Sequence, residues 1–148
     1  MKKNIETILL MFMVMGCIKD YSTGAFYKIT NSSTHSIQLK IFHFLSQNNG
    51  AHIDSTYNLP SASTITDQFE GKTSKRKVDS FSIPPFFDAD SAQIIFDGNM
   101  RISYKQLDAN PRNILHLSSY TGGKTDKRIF EYQYYITDED YKNAVKIK

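Results

Sequence analysis

The chain has 148 residues and a formal net charge of +3, with 40% hydrophobic and 22% charged residues. This composition is typical of a globular domain and argues against general disorder, and the small net charge gives no reason to expect nucleic acid as a partner. The single cysteine excludes an internal disulfide and a cysteine-rich zinc site.

The N-terminus begins with a basic segment, Met1-Lys2-Lys3-Asn4, and continues into an apolar run from Ile8 to Ile18. This run is well short of the roughly 20 residues that a membrane-spanning helix needs. A charged start, a short apolar stretch and a small residue at its end, here Gly16, are typical of a secretory signal peptide. We therefore expect residues 1–16 to be removed, which leaves enough chain for one domain and not two.

The end of the apolar run resembles the lipobox of bacterial lipoproteins, through the residues Val14-Met15-Gly16-Cys17. The resemblance implies that Cys17 becomes the first mature residue and carries three acyl chains, which include palmitate and anchor the protein in the outer membrane. Two or more chains anchor a protein stably, whereas a single chain does not. Acylation would also remove the reactivity of a lone exported thiol.

The two residues Lys19 and Asp20 resemble the short lysine-plus-acid tags that send some lipoproteins to the cell surface. A plain polar start to a tether over residues 17–23 is the alternative. The periplasmic side of the membrane and the cell surface are therefore both open as locations.

From residue 24 onward, apolar residues alternate with period two, which predicts β-strands. The first hairpin is predicted to join Ala25–Thr30 to Ser36–Leu45 through a five-residue loop that places Ile29 opposite Ile37. A change of apolar phase near Phe42 indicates either a bulge or a strand covered on both faces.

After a turn at residues 46–50, two alternating segments follow, Ile53–Leu59 and Ile65–Phe69. They carry few large residues, which favours edge positions in the sheets. Residues 70–90 form the longest irregular stretch, and Pro84-Pro85 excludes a central strand there.

The clearest hairpin joins Ser91–Phe96 to Met100–Gln106. A three-residue loop places Ile94 opposite Ile102, with apolar residues on one face, and we expect Asn99 to have a positive φ.

The C-terminal part contains an ambiguous segment, residues 114–118, which is a short strand or a helical turn. Thr121–Lys124 is predicted as a loop and Arg128–Ile136 as the last strand. Thr137, followed by three acidic residues, predicts the start of a short helical turn.

Seven or eight short antiparallel strands with almost no helix predict a single immunoglobulin-like β-sandwich over residues 24–148, with a small open barrel as the alternative. The body also resembles small uncharacterised outer-membrane lipoproteins. The residues that carry this resemblance are Tyr27-Lys28-Ile29-Thr30-Asn31, Ile94-Ile95-Phe96-Asp97 and Thr137-x-x-Asp140-Tyr141.

The sequence offers no recognisable catalytic or metal site. The four histidines, at positions 35, 43, 52 and 116, lack the spacing of zinc ligands. There is no nucleophile elbow and no phosphate-binding glycine loop. We therefore expect no catalytic residue, no metal and no cofactor.

Two groups of residues are candidates for ligand contact. The basic run with Lys75, Arg76 and Lys77 could meet an anion, although most charge runs in loops are simply solvated. Aromatic residues outside the regular pattern could form a binding face or could instead fill the core. These aromatic candidates are Phe86, Phe87, Tyr120 and Tyr135.

These features predict a membrane-anchored lipoprotein that acts as a non-catalytic binding or interaction module. Its partner could be a glycan, in which case an exposed row of aromatic residues is expected. An immunity-type lipoprotein that blocks a protein toxin is the other alternative, and it predicts an exposed apolar patch.

Overall fold

The computed structural model describes residues 20–44 and 52–148. The expected signal peptide, Cys17, Lys19 and the turn predicted at residues 46–50 lie outside the described residues. Within them, the chain forms nine strands: β1 (Tyr21–Asn31), β2 (Ile37–Phe44), β3 (His52–Leu59), β4 (Thr64–Thr73), β5 (Ser91–Phe96), β6 (Met100–Lys105), β7 (Thr121–Lys124), β8 (Ile129–Ile136) and β9 (Val145–Lys146). A 3₁₀ turn at Leu117–Ser119 and a short helix, α1 (Asp138–Lys142), complete the structure.

The strands form two sheets, in the orders β4-β1-β8-β7 and β3-β2-β5-β6-β9. The predicted all-β sandwich with a short C-terminal helical turn is therefore confirmed. The expected edge positions are also confirmed, because β3 and β4 each end a sheet. One correction concerns direction: β1 and β8 run parallel, whereas every other pair within the described residues is antiparallel.

The first six strands have the arrangement of an immunoglobulin sandwich. The pair β1–β4 corresponds to immunoglobulin strands B and E, and the series β3-β2-β5-β6 corresponds to C′, C, F and G. The position beside β1 that strand A takes in an immunoglobulin domain is filled here by β8, from the other end of the chain.

The core lies between the two sheets and is built mainly by alternation along the central strands. On β1 the fully buried apolar side chains are Ala25, Tyr27 and Ile29. Tyr27 stacks on Tyr132 of β8 at 5.6 Å between ring centroids, because the parallel register sets these two residues side by side. Burial of large aromatic side chains stabilises this tryptophan-free core.

The predicted hairpin between β1 and β2 is wrong, because the two strands belong to different sheets. The buried side chain of Asn31 holds the connection. Its Nδ2 donates to the carbonyl oxygens of His35 and Leu59, both at 2.8 Å, and its Oδ1 accepts from the backbone N–H of Ser33 at 3.0 Å. These bonds turn the chain across the sandwich instead of back along the same sheet.

The second hairpin is confirmed with its predicted register, including Ile94 opposite Ile102. The loop conformation differs from the prediction, because the positive φ values belong to Asp97 (46°) and Gly98 (72°) and not to Asn99. A tight turn with two left-handed residues matches the twist of the flanking strands, so the positions before Asn99 take that conformation.

Two further elements differ from the sequence predictions, and two alternatives that the sequence left open are decided. β1 begins at Tyr21, inside the segment expected to be a tether, and β7 is a strand where a loop was expected. Of the two alternatives at Phe42, the bulge is wrong, because the register of β2 with both neighbouring strands is continuous there. Of the two alternatives for residues 114–118, the helical turn is confirmed, because the segment is a turn that continues into the 3₁₀ turn at Leu117–Ser119.

Candidate functional site

The sandwich has two ends that the strand register defines. The base holds Tyr21 and Thr73, which pair at the start of β1 and the end of β4, and Ser91 and Lys105, which pair at the start of β5 and the end of β6. The apex holds the connection from β1 to β2. The chain therefore enters the domain at the base.

Two adjoining cavities lie at the base of the five-stranded sheet, with volumes of about 390 Å³ and about 350 Å³. They share Asp90 and Gln106, and each is flanked by an exposed apolar side chain. Phe87 is 54% exposed beside one cavity, and Leu107 is 95% exposed beside the other. We call these two cavities with their rim the basal cleft. Its lining residues are Pro84, Phe86, Phe87, Asp88, Ala89, Asp90, Ser91, Lys105, Gln106, Leu107 and Asp108.

The loop before β5 is fastened to the core through Phe86. Its backbone N–H donates to Oδ2 of Asp67 on β4 at 2.7 Å, and its buried ring packs on Tyr57 of β3 at 6.2 Å between centroids. With Phe86 turned inward, the next side chain, Phe87, is turned outward. It retains contact with Phe69 of β4 at 6.0 Å.

The backbone of this loop is strained at two residues. Phe86 has φ of 49° and Asp88 has φ of 66°, both in the left-handed region that side-chain-bearing residues rarely adopt. Such conformations persist where the surroundings impose them, and they concentrate at binding and active sites. The left-handed conformations of Phe86 and Asp88 therefore support this loop as a candidate functional region.

The rim of the cleft is acidic. Asp88, Asp90 and Asp108 are exposed, against one exposed cation, Lys105. Beneath the loop, burial raises the pKa of Asp67, and the hydrogen bond from the Phe86 backbone partly opposes this rise. The site therefore combines apolar side chains with carboxylates.

The structure separates the aromatic residues that the sequence marked as candidates. Phe86 and Tyr120 are buried, so neither ring forms part of an exposed aromatic surface, although Phe86 borders one cavity of the cleft. The hydroxyl of Tyr120 donates to the carbonyl of Ile114 at 2.9 Å, and burial raises the pKa of Tyr120 far above its usual value. Tyr135 is 41% exposed, but it points outward from β8 at the apical end, where it pairs with Thr30.

The basic candidates Lys75, Arg76 and Lys77 are exposed in the loop that follows β4, at the base. Asp20 lies just before β1 and is also exposed.

Leu107 is a residue of the cleft that the sequence analysis did not mark as a candidate. The available signal was that Leu107 is an apolar residue in the polar turn that follows strand β6.

His35 and His116 take part in packing between loops. The Nδ1 atom of His35 lies 2.6 Å from Oδ2 of Asp97, and its ring stacks on Tyr141 at 3.7 Å between centroids. The Nε2 atom of His116 lies 2.6 Å from the carbonyl oxygen of Gln106. Among the described residues there is no group of three histidine, cysteine or acidic side chains arranged to hold a metal ion.

Comparisons with protein-family models, with curated proteins and with solved structures found no match. Within residues 20–44 and 52–148, no helix has the length and apolar character needed to span a bilayer.

Proposed function

We propose that this chain is a lipid-anchored, non-catalytic interaction module of the bacterial outer membrane, and that the basal cleft is its contact surface. The observation that carries the proposal is the exposure of Phe87 and Leu107 beside two adjoining cavities. Large apolar side chains that flank a concave site are typical of the centre of a protein interface.

The chemistry of the cleft favours a protein segment as its partner. The acidic rim, with Asp88, Asp90 and Asp108, complements a segment with basic side chains. The exposed apolar pair would be covered by an apolar side chain of the same segment. A lipoprotein that masks a basic, apolar surface of another protein, such as a toxin, fits this chemistry.

A glycan partner is less well supported. That alternative requires a row of exposed aromatic residues. Of the four aromatic candidates, only Phe87 and Tyr135 have exposed side chains, and they lie at opposite ends of the sandwich.

The anchor is tested by mass spectrometry of the mature protein and by metabolic labelling with palmitate. We expect an N-terminal Cys17 that bears acyl chains, and loss of the label in the Cys17→Ser variant. A mature chain that begins at another residue, or a label that persists in the variant, would overturn the lipid anchor.

The contact surface is tested by site-specific photo-cross-linking in intact cells. A photoreactive residue at Leu107 is expected to give a discrete protein adduct that Phe87→Ser abolishes. The matched control is the same residue at Val145, which is 62% exposed and lies on β9 away from the cleft. The same adducts at both positions, or no adduct at Leu107, would refute the cleft as the contact surface.

A further inference from the structure

The base of the four-stranded sheet is basic, in contrast to the acidic cleft beneath the other sheet. The chain enters there at Tyr21, which pairs with Thr73, and the basic run follows directly after β4. Asp79 accepts ion pairs from Lys77 at 3.1 Å and Lys124 at 3.3 Å. Within the described part of the chain, the exposed cations at the base of the four-stranded sheet that form no ion pair are Lys72, Lys75, Arg76 and Lys127.

Arg128 joins the entering strand and the basic run into one unit. Its Nε donates to the carbonyl of Ser22 at 2.9 Å, and its Nη1 donates to the carbonyl of Arg76 at 2.9 Å. The guanidinium also lies over the ring of Tyr21 at 4.6 Å. The basic loop therefore has a fixed position beside the first described residues of the chain.

The charges of the two halves of the base have opposite signs. Beneath the four-stranded sheet there are seven cationic and four carboxylate side chains, which give a net charge of +3. Beneath the five-stranded sheet, the cleft rim has three carboxylates and one lysine, a net charge of −2. The residues of the basic half are Asp20, Glu70, Lys72, Lys75, Arg76, Lys77, Asp79, Lys124, Asp126, Lys127 and Arg128.

We propose that the basic half of the base rests on the anionic phospholipid headgroups of the bilayer that holds the anchor, with the acidic half tilted away from them. The proposal rests on the lipid anchor at Cys17. Three residues separate Cys17 from Tyr21, so an extended link spans at most about 14 Å. A link this short keeps the base beside the headgroups, where basic residues are attracted and carboxylates are repelled. The tilt leaves Phe87 and Leu107 accessible to a partner at the side.

The test uses the full lipidated protein reconstituted into vesicles of neutral phosphatidylcholine or vesicles rich in phosphatidylglycerol. Lysine acetylation is followed residue by residue with mass spectrometry. At low salt we expect Lys72 and Lys75 to react roughly fivefold more slowly on the anionic vesicles, and high salt to remove the difference. The apical lysines Lys142 and Lys146 serve as internal controls and should react equally on both.

A pair of variants isolates the charge effect. Replacing Lys72 and Arg76 by glutamine should remove the protection of Lys75, whereas the matched change of Lys142 and Lys146 to glutamine should leave it intact. Equal reactivity of Lys75 on both kinds of vesicle, with the protein firmly bound to each, would overturn the proposal and leave the lipid anchor standing. Loss of the protein from both kinds of vesicle would refute the anchor itself. Protection only on vesicles that contain lipopolysaccharide would refute the assignment to phospholipid.

Discussion

A single carboxylate supports the strained loop of the basal cleft. Asp67 lies on edge strand β4, and its Oδ2 accepts the backbone N–H of Phe86 at 2.7 Å. Burial raises the pKa of Asp67 above its ordinary value of 3.8, although this hydrogen bond opposes the rise. Asp67 therefore makes this hydrogen bond in the folded state, but its ionised form is less favourable there than in water.

The Asp67→Asn variant is expected to be no less stable than the wild type at pH 7, because the amide oxygen can still accept the Phe86 N–H. Between the ordinary Asp value and the raised folded-state pKa, the folded state binds more protons than the unfolded state. The wild-type free energy of unfolding therefore falls as the pH rises through this interval, and Asp67→Asn should lack this change. Urea unfolding from pH 3 to pH 7 measures both.

The matched variant Asp67→Ala removes the acceptor and leaves the Phe86 N–H without its partner. We expect it to be about 1–2 kcal/mol less stable than Asp67→Asn throughout the same pH range. If Asp67→Asn instead lost as much stability as Asp67→Ala at pH 7, the charge of Asp67 would be stabilising and our account of this site would be wrong.

Phe86 and Phe87 show how far the sequence could predict the candidate site. The pair could be marked as candidates because it follows two prolines in an irregular stretch. Which ring is exposed depends on the hydrogen bond to Asp67, 19 residues earlier, and on the left-handed φ of Phe86. Neither is encoded in local periodicity, so the sequence could locate the loop but not the exposed side chain.

At the scale of secondary-structure elements, the pairing of β7 with β8 depends on Gly122. Gly122 has φ of 120°, and a Cβ there would lie 2.2 Å from the carbonyl oxygen of Glu131 on β8. Two adjacent glycines ordinarily indicate a loop, which is why the sequence prediction at Thr121–Lys124 failed. Here Gly122 permits a close approach of two backbones.

Gly122→Ala is expected to lower the free energy of unfolding by about 3 kcal/mol or more, because the methyl group meets the β8 backbone in addition to the unfavourable φ. The control is Gly98→Ala, at φ of 72° with no atom within 4 Å, which should cost only about 1–2 kcal/mol. Thermal and urea unfolding of both variants provide the comparison. Equal losses in the two variants would contradict the close contact between β7 and β8.

The connection between β1 and β2 shows a second limit of sequence reading. Ile29 and Ile37 alternate correctly with their neighbours, and both are buried. The same alternation is satisfied when two strands pair within a sheet and when they face each other across a sandwich. The deciding residue is Asn31, whose side chain bonds to the carbonyl of Leu59 on another strand. By contrast, the β5–β6 hairpin is specified by its own loop, and there the register was predicted correctly.

For the whole molecule, β8 connects the two ends of the fold. It pairs in parallel with β1 from Gly24 opposite Ile129 to Asn31 opposite Ile136, and it also pairs with β7. Alternation in the sequence places Phe130, Tyr132 and Tyr134 on one face of β8, and all three are buried. The neighbouring strand could not be identified, since a pairing between distant segments leaves no local signal.

This topology predicts that the sandwich folds only when β8 is present. A chain that ends at Asp126 leaves β1 with β4 as its one neighbour and uncovers the buried side chains of Tyr27 and Ile29, so it should lack a cooperative unfolding transition. The control chain ends at Ala144 and loses the short edge strand β9, whose two residues are exposed. We expect it to unfold cooperatively with a loss of about 1 kcal/mol. Urea unfolding followed by circular dichroism distinguishes the two chains. A cooperative transition of the chain ending at Asp126, with a wild-type dependence on urea, would show that the parallel pair is not required for the fold.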